Sequence, residues 1–426
     1  MNTRRSLLEA AAAFAGLGLA GCTAVPQPKA SIGRVVVIGG GYGGCTAARY
    51  LRLWGGNIEV TLIERGAQFV SCPMSNLVVA GWRDMPSITR SYAGLQALGV
   101  KVVQGEVVAV DAAARRLRLA SGEAFAYDRL VIAPGVDFIA DDIGGLPEAL
   151  DSGRVLHAWK AGPQTAALRA QLQAMPDGGV FAISIPRAPF RCPPAPYERA
   201  CLVASYFKAA KPRSKVLVLD ANPDVQSKKA LFEYAFQKHY AGMIEYRPNS
   251  ELKELAGTAF TPLARFEFED VQADVLNVVP PQRGADIAHQ LGLLNLNQRW
   301  AGVDWLTMES TAVPGVHVLG DATFAAPAMP KSGHMANQHA KVAAAAIIQL
   351  LQGLPVNAEP VLANACYSFV DERQAVHVAT VHRYDAGEKT FRTVPGAGGL
   401  SAAASAAEAR FAMSWADNIW ADMLGT

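Results

Sequence analysis

Short apolar runs, each closed by glycine, proline or an acid, alternate along the chain with longer segments of helical period. Val35-Val-Val-Ile38 is continuous and β-branched, the pattern of a strand buried on both faces of a parallel sheet. Cys45 to Trp54 follows with helical spacing, and Glu59-Val-Thr-Leu-Ile63 is a second strand. Val100–Val103, Val107–Val110, Arg116–Leu119 and the run ending at Ile132 continue the strand pattern. It recurs at Gly179–Ile185, Lys215–Leu219 and Val316–Leu319. Tyr197–Phe207, the segment from Pro330 to Leu351 and Ser401–Arg410 are predicted helices, while Phe411 to Met423 is apolar with acidic interruptions. Strands alternating with helices predict an α/β fold.

The first strand runs directly into Gly39-Gly-Gly41-Tyr-Gly-Gly44. In this strand–turn–helix context G-x-G-x-x-G is the dinucleotide-binding fingerprint: Gly39 makes the turn, Gly41 admits a pyrophosphate and Gly44 lets helix pack on strand. Glu64 closes the second strand about 20 residues beyond the glycines, where a carboxylate binds ribose hydroxyls. Arg65 beside it is placed at the same cofactor. A second unit starts near residue 151. After Gly179–Ile185 the turn Pro186 to Pro196 has five prolines and no glycine. Proline offers no N–H and blocks close backbone approach, so this turn does not cradle a pyrophosphate and no nicotinamide site is expected. Asp220 after the next strand is read as a turn cap.

Residues 1–30 are set aside as a targeting segment. Arg4-Arg5 ahead of the short apolar run Ala10–Ala20 predicts Tat export to the periplasm. That run is too short for a comfortable span, so no transmembrane segment is expected. Leu19-Ala-Gly-Cys22 resembles a lipoprotein cleavage box, which would put a lipid anchor on Cys22. Charged residues make up only 18% and the net charge is +2, which argues against a nucleic-acid partner. The eight histidines show no metal spacing, and no metal site is expected.

Six cysteines remain to be explained: 22, 45, 72, 192, 201 and 366. No Cys-x-x-Cys or Cys-x-x-Cys-His occurs, so neither a thioredoxin-like pair nor a c-type haem is encoded. Loss of Cys22 with the leader leaves an odd five. Counting alone leaves a Cys192–Cys201 bridge open.

Taken together, the Gly39–Gly44 loop, Cys72-Pro-Met-Ser-Asn76, Cys192-Pro-Pro-Ala-Pro-Tyr-Glu-Arg199, Met329-Pro-Lys-Ser-Gly333 and Cys366-Tyr-Ser368 resemble the flavoprotein subunit of flavocytochrome c sulfide dehydrogenase. The resemblance covers essentially the whole exported length. It implies two Rossmann-like, glutathione-reductase-like domains plus a C-terminal α+β domain. The segments are then 31–150 and 269–355 for FAD, 151–268 for a second dinucleotide fold without an NAD site, and 356–426 at the C-terminus. It further implies FAD bound 8α-S-cysteinyl on Cys72 and a redox-active Cys192–Cys366 disulfide, with Cys45 and Cys201 as inert buried thiols. The family's Cys-Tyr-Leu-Ser-Asn-like pattern is Cys-Pro-Met-Ser-Asn here. Asp321 resembles the acid that holds the ribityl chain. Lys331 and Ser332, opening the long helix, belong at the flavin pyrimidine end, and Trp415 or Trp420 covers the ring as a family aromatic does. Glu198, six residues after Cys192, is the candidate general base, although the first helical turn also favours a carboxylate there.

The implied activity is oxidation of sulfide to polysulfide or elemental sulfur. Its electrons pass to a c-type cytochrome subunit, because the chain has neither a nicotinamide site nor a haem motif of its own. Two alternatives stand: a sulfide:quinone oxidoreductase at a membrane surface, and a non-catalytic flavin electron-transfer subunit of a sulfur-oxidation complex.

Overall fold

In this computed structural model the chain is described over residues 31–257, 262–267 and 269–425. The expected export signal at Arg4-Arg5 and the expected lipid anchor at Cys22 lie outside the described residues.

The apolar run beginning at Val35 becomes β1 (Gly33–Ile38), with Val37 fully buried. It is followed by α1 (Tyr42–Gly55), β2 (Ile58–Glu64), α2 (Ser75–Ala80), β3 (Lys101–Gln104) and β4 (Arg129–Ile132). Helix α1 begins three residues before the expected Cys45, inside the glycine loop. Close packing explains this: a Cβ on Gly44 would lie 1.8 Å from Gly39 O, so only hydrogen there lets the helix start so near the strand. Residues 107–126 form an antiparallel meander on the way to β4.

The second sheet is built from β5 (Val180–Ile185), β6 (Lys215–Asp220), β7 (Ile244–Arg247) and β8 (Val275–Val278), with α3 (Ala195–Ala210) crossing from β5 to β6. Its order is β7-β6-β5-β8, all parallel. The chain then returns as β9 (Val316–Val318), which pairs in parallel with β4. The first sheet therefore reads β9-β4-β1-β2-β3. Strand β9 leads into α4 (Gly333–Leu351), laid along α1, where Asn337 Nδ2 donates to Thr46 Oγ1 at 2.9 Å. Parallel strands joined by covering helices make this a mixed α/β fold with two Rossmann-like sheets.

The C-terminal part is α+β. Strands β10 (Val361–Phe369), β11 (Ala375–Asp385) and β12 (Thr390–Leu400) form an antiparallel sheet, and α5 (Ala406–Leu424) follows. Ser405 caps α5 by accepting from Glu408 N. The acidic interruptions after Phe411 thus belong to one amphipathic helix, whose Ala412, Ala416, Ile419 and Met423 face inward. From residue 32 onward the described residues form one compact unit. Among the described residues no helix is long and apolar enough to cross a membrane.

Candidate functional site

A cavity of about 470 Å³ opens at the C-terminal ends of β1 and β4, between α1 and α4. That is where an open parallel sheet presents its ligand crevice. Gly39 takes φ 101°, and a Cβ there would meet Ala133 O at 2.4 Å. Gly41 has the opposite surroundings: a Cβ would find nothing within 4 Å, because this backbone faces open cavity. No side chain caps α1, so its first N–H groups remain available to an anion. Glu64 lies at the end of β2, where Oε2 accepts from Gly40 N at 2.6 Å and Oε1 from Gly66 N at 2.9 Å.

Asp321 lines the far end of the cavity. Its Oδ1 is buried without a partner, and burial raises its pKa against the pull of Arg191 and Lys331. A buried acceptor without a donor costs free energy that a ligand hydroxyl would relieve. Ser332 caps α4 by accepting from Met335 N at 3.0 Å, and Gly333 opens onto the cavity. The glycine cradle, the carboxylate of Glu64 and the unsatisfied Asp321 together fit an extended dinucleotide such as FAD.

The sulfur residues meet at one wall. Cys72 and Cys192 both line the cavity. Cys72 Sγ accepts from Ala161 N at 3.3 Å and from Arg191 Nη2 at 3.7 Å. Cys192 has φ 57°, and its N–H donates to Lys331 O at 2.9 Å, tying the Pro-rich turn to the segment that opens α4. Its side chain hydrogen-bonds Cys366 of β10. The two thiols are free, and they differ. Cys192 is pushed up, chiefly by its bond to Cys366, whereas Cys366 is drawn down as the acceptor of that bond. Cys45 and Cys201 are fully buried, with thiols raised by desolvation, whereas the Cys192 side chain hydrogen-bonds Cys366.

Glu198 stands behind this pair in the first turn of α3. Its Oε2 accepts from Asn76 Nδ2 and Oε1 from Phe369 N, both at 2.7 Å. Burial pushes its pKa up to about 7, despite these two donors. Asn76 Oδ1 in turn accepts from Arg199 Nε at 2.9 Å. The buried guanidinium of Arg199 also donates to His157 O, Asn277 Oδ1 and Ala158 O. Asn76 thus fixes the carboxylate on one side and the cation on the other.

Four expected cofactor residues do not line the cavity: Gly44, which lies against Gly39 where helix packs on strand, Arg65, Lys331 and Trp415. Lys331, expected at a flavin pyrimidine, donates from Nζ to Asp321 O at 2.9 Å and to Thr323 O, and sits 3.7 Å from the Trp300 ring centre. A buried ammonium takes the nearest carbonyls, and desolvation lowers this one to about 7. Trp415 packs on His334 with its indole N–H unpartnered, whereas Trp420 donates from Nε1 to the cavity residue Tyr42 at 3.4 Å. Arg65 is 70% exposed and reaches toward Glu106.

Asp220 is fully buried and accepts from Tyr197 OH at 2.6 Å, Tyr246 OH at 3.1 Å and Asn222. Asn76 and Arg199 close the two cysteine-containing motifs and could have been singled out there. Arg191 and Lys228 carry no such local signal.

Three family descriptions match consecutive parts of the chain. Residues 33–165 match the pyridine nucleotide-disulphide oxidoreductases. Residues 165–280 match the central part of the sulfide dehydrogenase [flavocytochrome c] flavoprotein chain, and 358–424 the flavin-binding part of flavocytochrome c sulphide dehydrogenase. A flavocytochrome c sulfide dehydrogenase flavoprotein chain from Chlorobaculum thiosulfatiphilum is 56% identical over 45 residues, covering 94% of that chain and 11% of this one. The mitochondrial sulfide:quinone oxidoreductase of Mus musculus is 25% identical over 301 residues, 68% of this chain and 65% of the mouse protein. The solved sulfide:quinone oxidoreductase from Aquifex aeolicus superposes with a TM-score of 0.76 at 20% identity, covering 92% of each chain. The chain therefore belongs to the flavocytochrome c sulfide dehydrogenase flavoprotein family, on a pyridine nucleotide-disulphide oxidoreductase fold that it shares with the sulfide:quinone oxidoreductases.

Proposed function

We propose that this chain is the flavin subunit of a periplasmic sulfide:cytochrome c oxidoreductase, with sulfide as substrate and polysulfide or elemental sulfur as product. The observation that carries the reading is the meeting of Cys192 and Cys366 at the wall of a cavity that also exposes Cys72. Cys72 is assigned as the 8α-S-cysteinyl attachment to FAD, and the other two as a disulfide that opens and closes. Bound FAD would take up an electron pair and release it one electron at a time.

Hydrosulfide is a soft nucleophile, and a disulfide is a matching electrophile. Its attack forms one S–S bond and breaks the Cys192–Cys366 bond. A persulfide remains on one cysteine and a thiolate on the other. Glu198, buried within reach of the pair and poised near pH 7, takes the proton released when hydrogen sulfide or a persulfide ionises. Arg199 and Asn76 hold that carboxylate in place. Export by the twin-arginine signal would place the chain beside a c-type cytochrome subunit.

The cytochrome acceptor is favoured because the flavocytochrome matches span both Cys192 and Cys366. Quinone is the second reading, favoured by the names of the mouse and Aquifex relatives. The test is anaerobic titration of the purified protein with sulfide, followed by a supply of either cytochrome c or a soluble quinone. Bleaching of the flavin and fast cytochrome reduction are expected. Bleaching with quinone turnover alone selects the second reading. No bleaching leaves a non-catalytic flavin module and rejects both.

A further inference from the structure

Lys228 is outside every motif discussed so far, yet only 5% of it is exposed. It takes φ 56° at the start of the short helix Lys229–Tyr234. Left-handed backbone is uncommon for a long side chain and is held there by its surroundings. The turn aims Nζ inward, where it donates to Ser368 Oγ at 2.8 Å. Ser368 is 1% exposed and lies two residues beyond Cys366 on β10. Successive side chains alternate across a strand, so Ser368 and Cys366 share one face. Among the described residues no carboxylate forms an ion pair with Lys228, and Glu198 feels its charge from farther away.

We propose that Lys228 is a positioning residue for the sulfur pair: its ammonium, pinned on Ser368, holds negative charge on the sulfur carried by Cys366. The proposal rests on reading Cys192–Cys366 as the redox centre. When hydrosulfide opens that disulfide, the electron pair of the broken bond stays on the departing sulfur, and no outside oxidant is required. If Cys366 departs, it is a thiolate. If Cys366 is attacked, it carries a persulfide, a stronger acid than a thiol, whose proton Glu198 accepts. Either way the anion at Cys366 lies on the same strand face as the serine that holds Lys228, within reach of its charge. The charged and titratable groups around Cys366 are Cys192 with neighbouring Arg191, Glu198 from α3, Lys228 itself, and His334 of α4, whose Nδ1 accepts from Ala365 N at 3.0 Å. The Cys192 thiol and the Lys228 charge favour the Cys366 thiolate, while burial opposes it.

The test is the pH profile of Cys366 alkylation in the dithiol-reduced holoprotein. Iodoacetamide supplies the label, and peptide mass mapping reports the site. Lys228→Gln keeps a donor for Ser368 and removes the charge; the midpoint for Cys366 is expected to rise by about one unit, a roughly tenfold loss of thiolate at fixed pH. Lys228→Arg, equally strained at this φ, is expected to restore it. Lys228→Met makes the same prediction as Gln and serves where the amide disturbs folding. An unchanged midpoint in the neutral variants, or a shifted one in the Arg variant, overturns the proposal. This readout needs no sulfide, so it is separable from the proposed activity: wild type that fails to bleach with sulfide refutes the activity alone.

Discussion

Replacing Glu198 by Gln tests whether the buried carboxylate is poised as its environment indicates. Burial raises it from the ordinary 4.5 to about 7, while the unfolded chain keeps the ordinary value. Ionising it within the fold therefore costs about 3 kcal/mol more than ionising it in water. The sign follows from proton binding. The folded state holds this proton to higher pH than the unfolded state. The contribution is thus fully present below pH 4.5 and lost as pH rises through 7. Gln does not titrate. It carries its own cost, because its NH₂ must face either Asn76 Nδ2 or Phe369 N, and Asn76 cannot turn while Oδ1 is held by Arg199. That cost, about 1–3 kcal/mol, is independent of pH. Other buried groups, such as His157 and Lys331, titrate in both proteins and cancel in the difference. Thermal unfolding followed by circular dichroism at pH 5 and pH 8 is the assay. The gap between wild type and Glu198→Gln is expected to change by about 3 °C in favour of the variant at the higher pH, the shift that the roughly 2.5 kcal/mol lost between pH 5 and pH 8 gives a unit of this size. Parallel pH profiles would refute the buried, half-ionised carboxylate and with it the assignment of Glu198 as base.

Acid-precipitated wild type is expected to stay yellow, and Cys72→Ser to release soluble FAD; free flavin from the wild type would remove Cys72 from its role. Cys192→Ser and Cys366→Ser are each expected to keep flavin but lose bleaching by sulfide, read by stopped-flow absorbance. Gly41→Ala is expected to fold and lose bound flavin, because its Cβ projects into open cavity, whereas Gly44→Ala, 1.8 Å from Gly39 O, is expected to yield little soluble protein; expression level and the flavin-to-protein absorbance ratio separate them. NADH is expected to leave the flavin oxidised, since the Asp220 carboxylate is already taken by Tyr197, Tyr246 and Asn222; rapid bleaching by NADH would contradict this.

What could be read from the sequence was whatever depends on neighbours along the chain. Val35–Ile38 is apolar without a break because it lies between two strands, and that environment is written in four consecutive letters. Gly39, Gly41, Gly44 and Glu64 are legible for the same reason: one strand–turn–helix–strand unit fixes where all four stand. The start of α1 at Tyr42 was not, because it depends on how closely Gly44 approaches Gly39 O. The sulfur centre is a mixed case. Its cysteines stand in recognisable motifs, but their meeting requires β10 to come back against the turn after β5, and no local pattern encodes that approach. The residues outside the cavity lining show the limit most clearly. Lys331 sits in the right segment, yet its ammonium follows hydrogen-bond demand rather than the helix axis, and turns to Asp321 O and Thr323 O. Trp415 and Trp420 lie on one helix five residues apart, so helical phase alone separates the one beside His334 from the one bonded to Tyr42. Asn76, Arg199 and Lys228 complete the argument. Each is polar, deeply buried and satisfied only by groups far away in sequence. Burying such side chains is costly unless their partners are already in place. A fold that keeps two cations and a carboxylate around one pair of thiols supplies the electrostatics that the proposed disulfide chemistry requires.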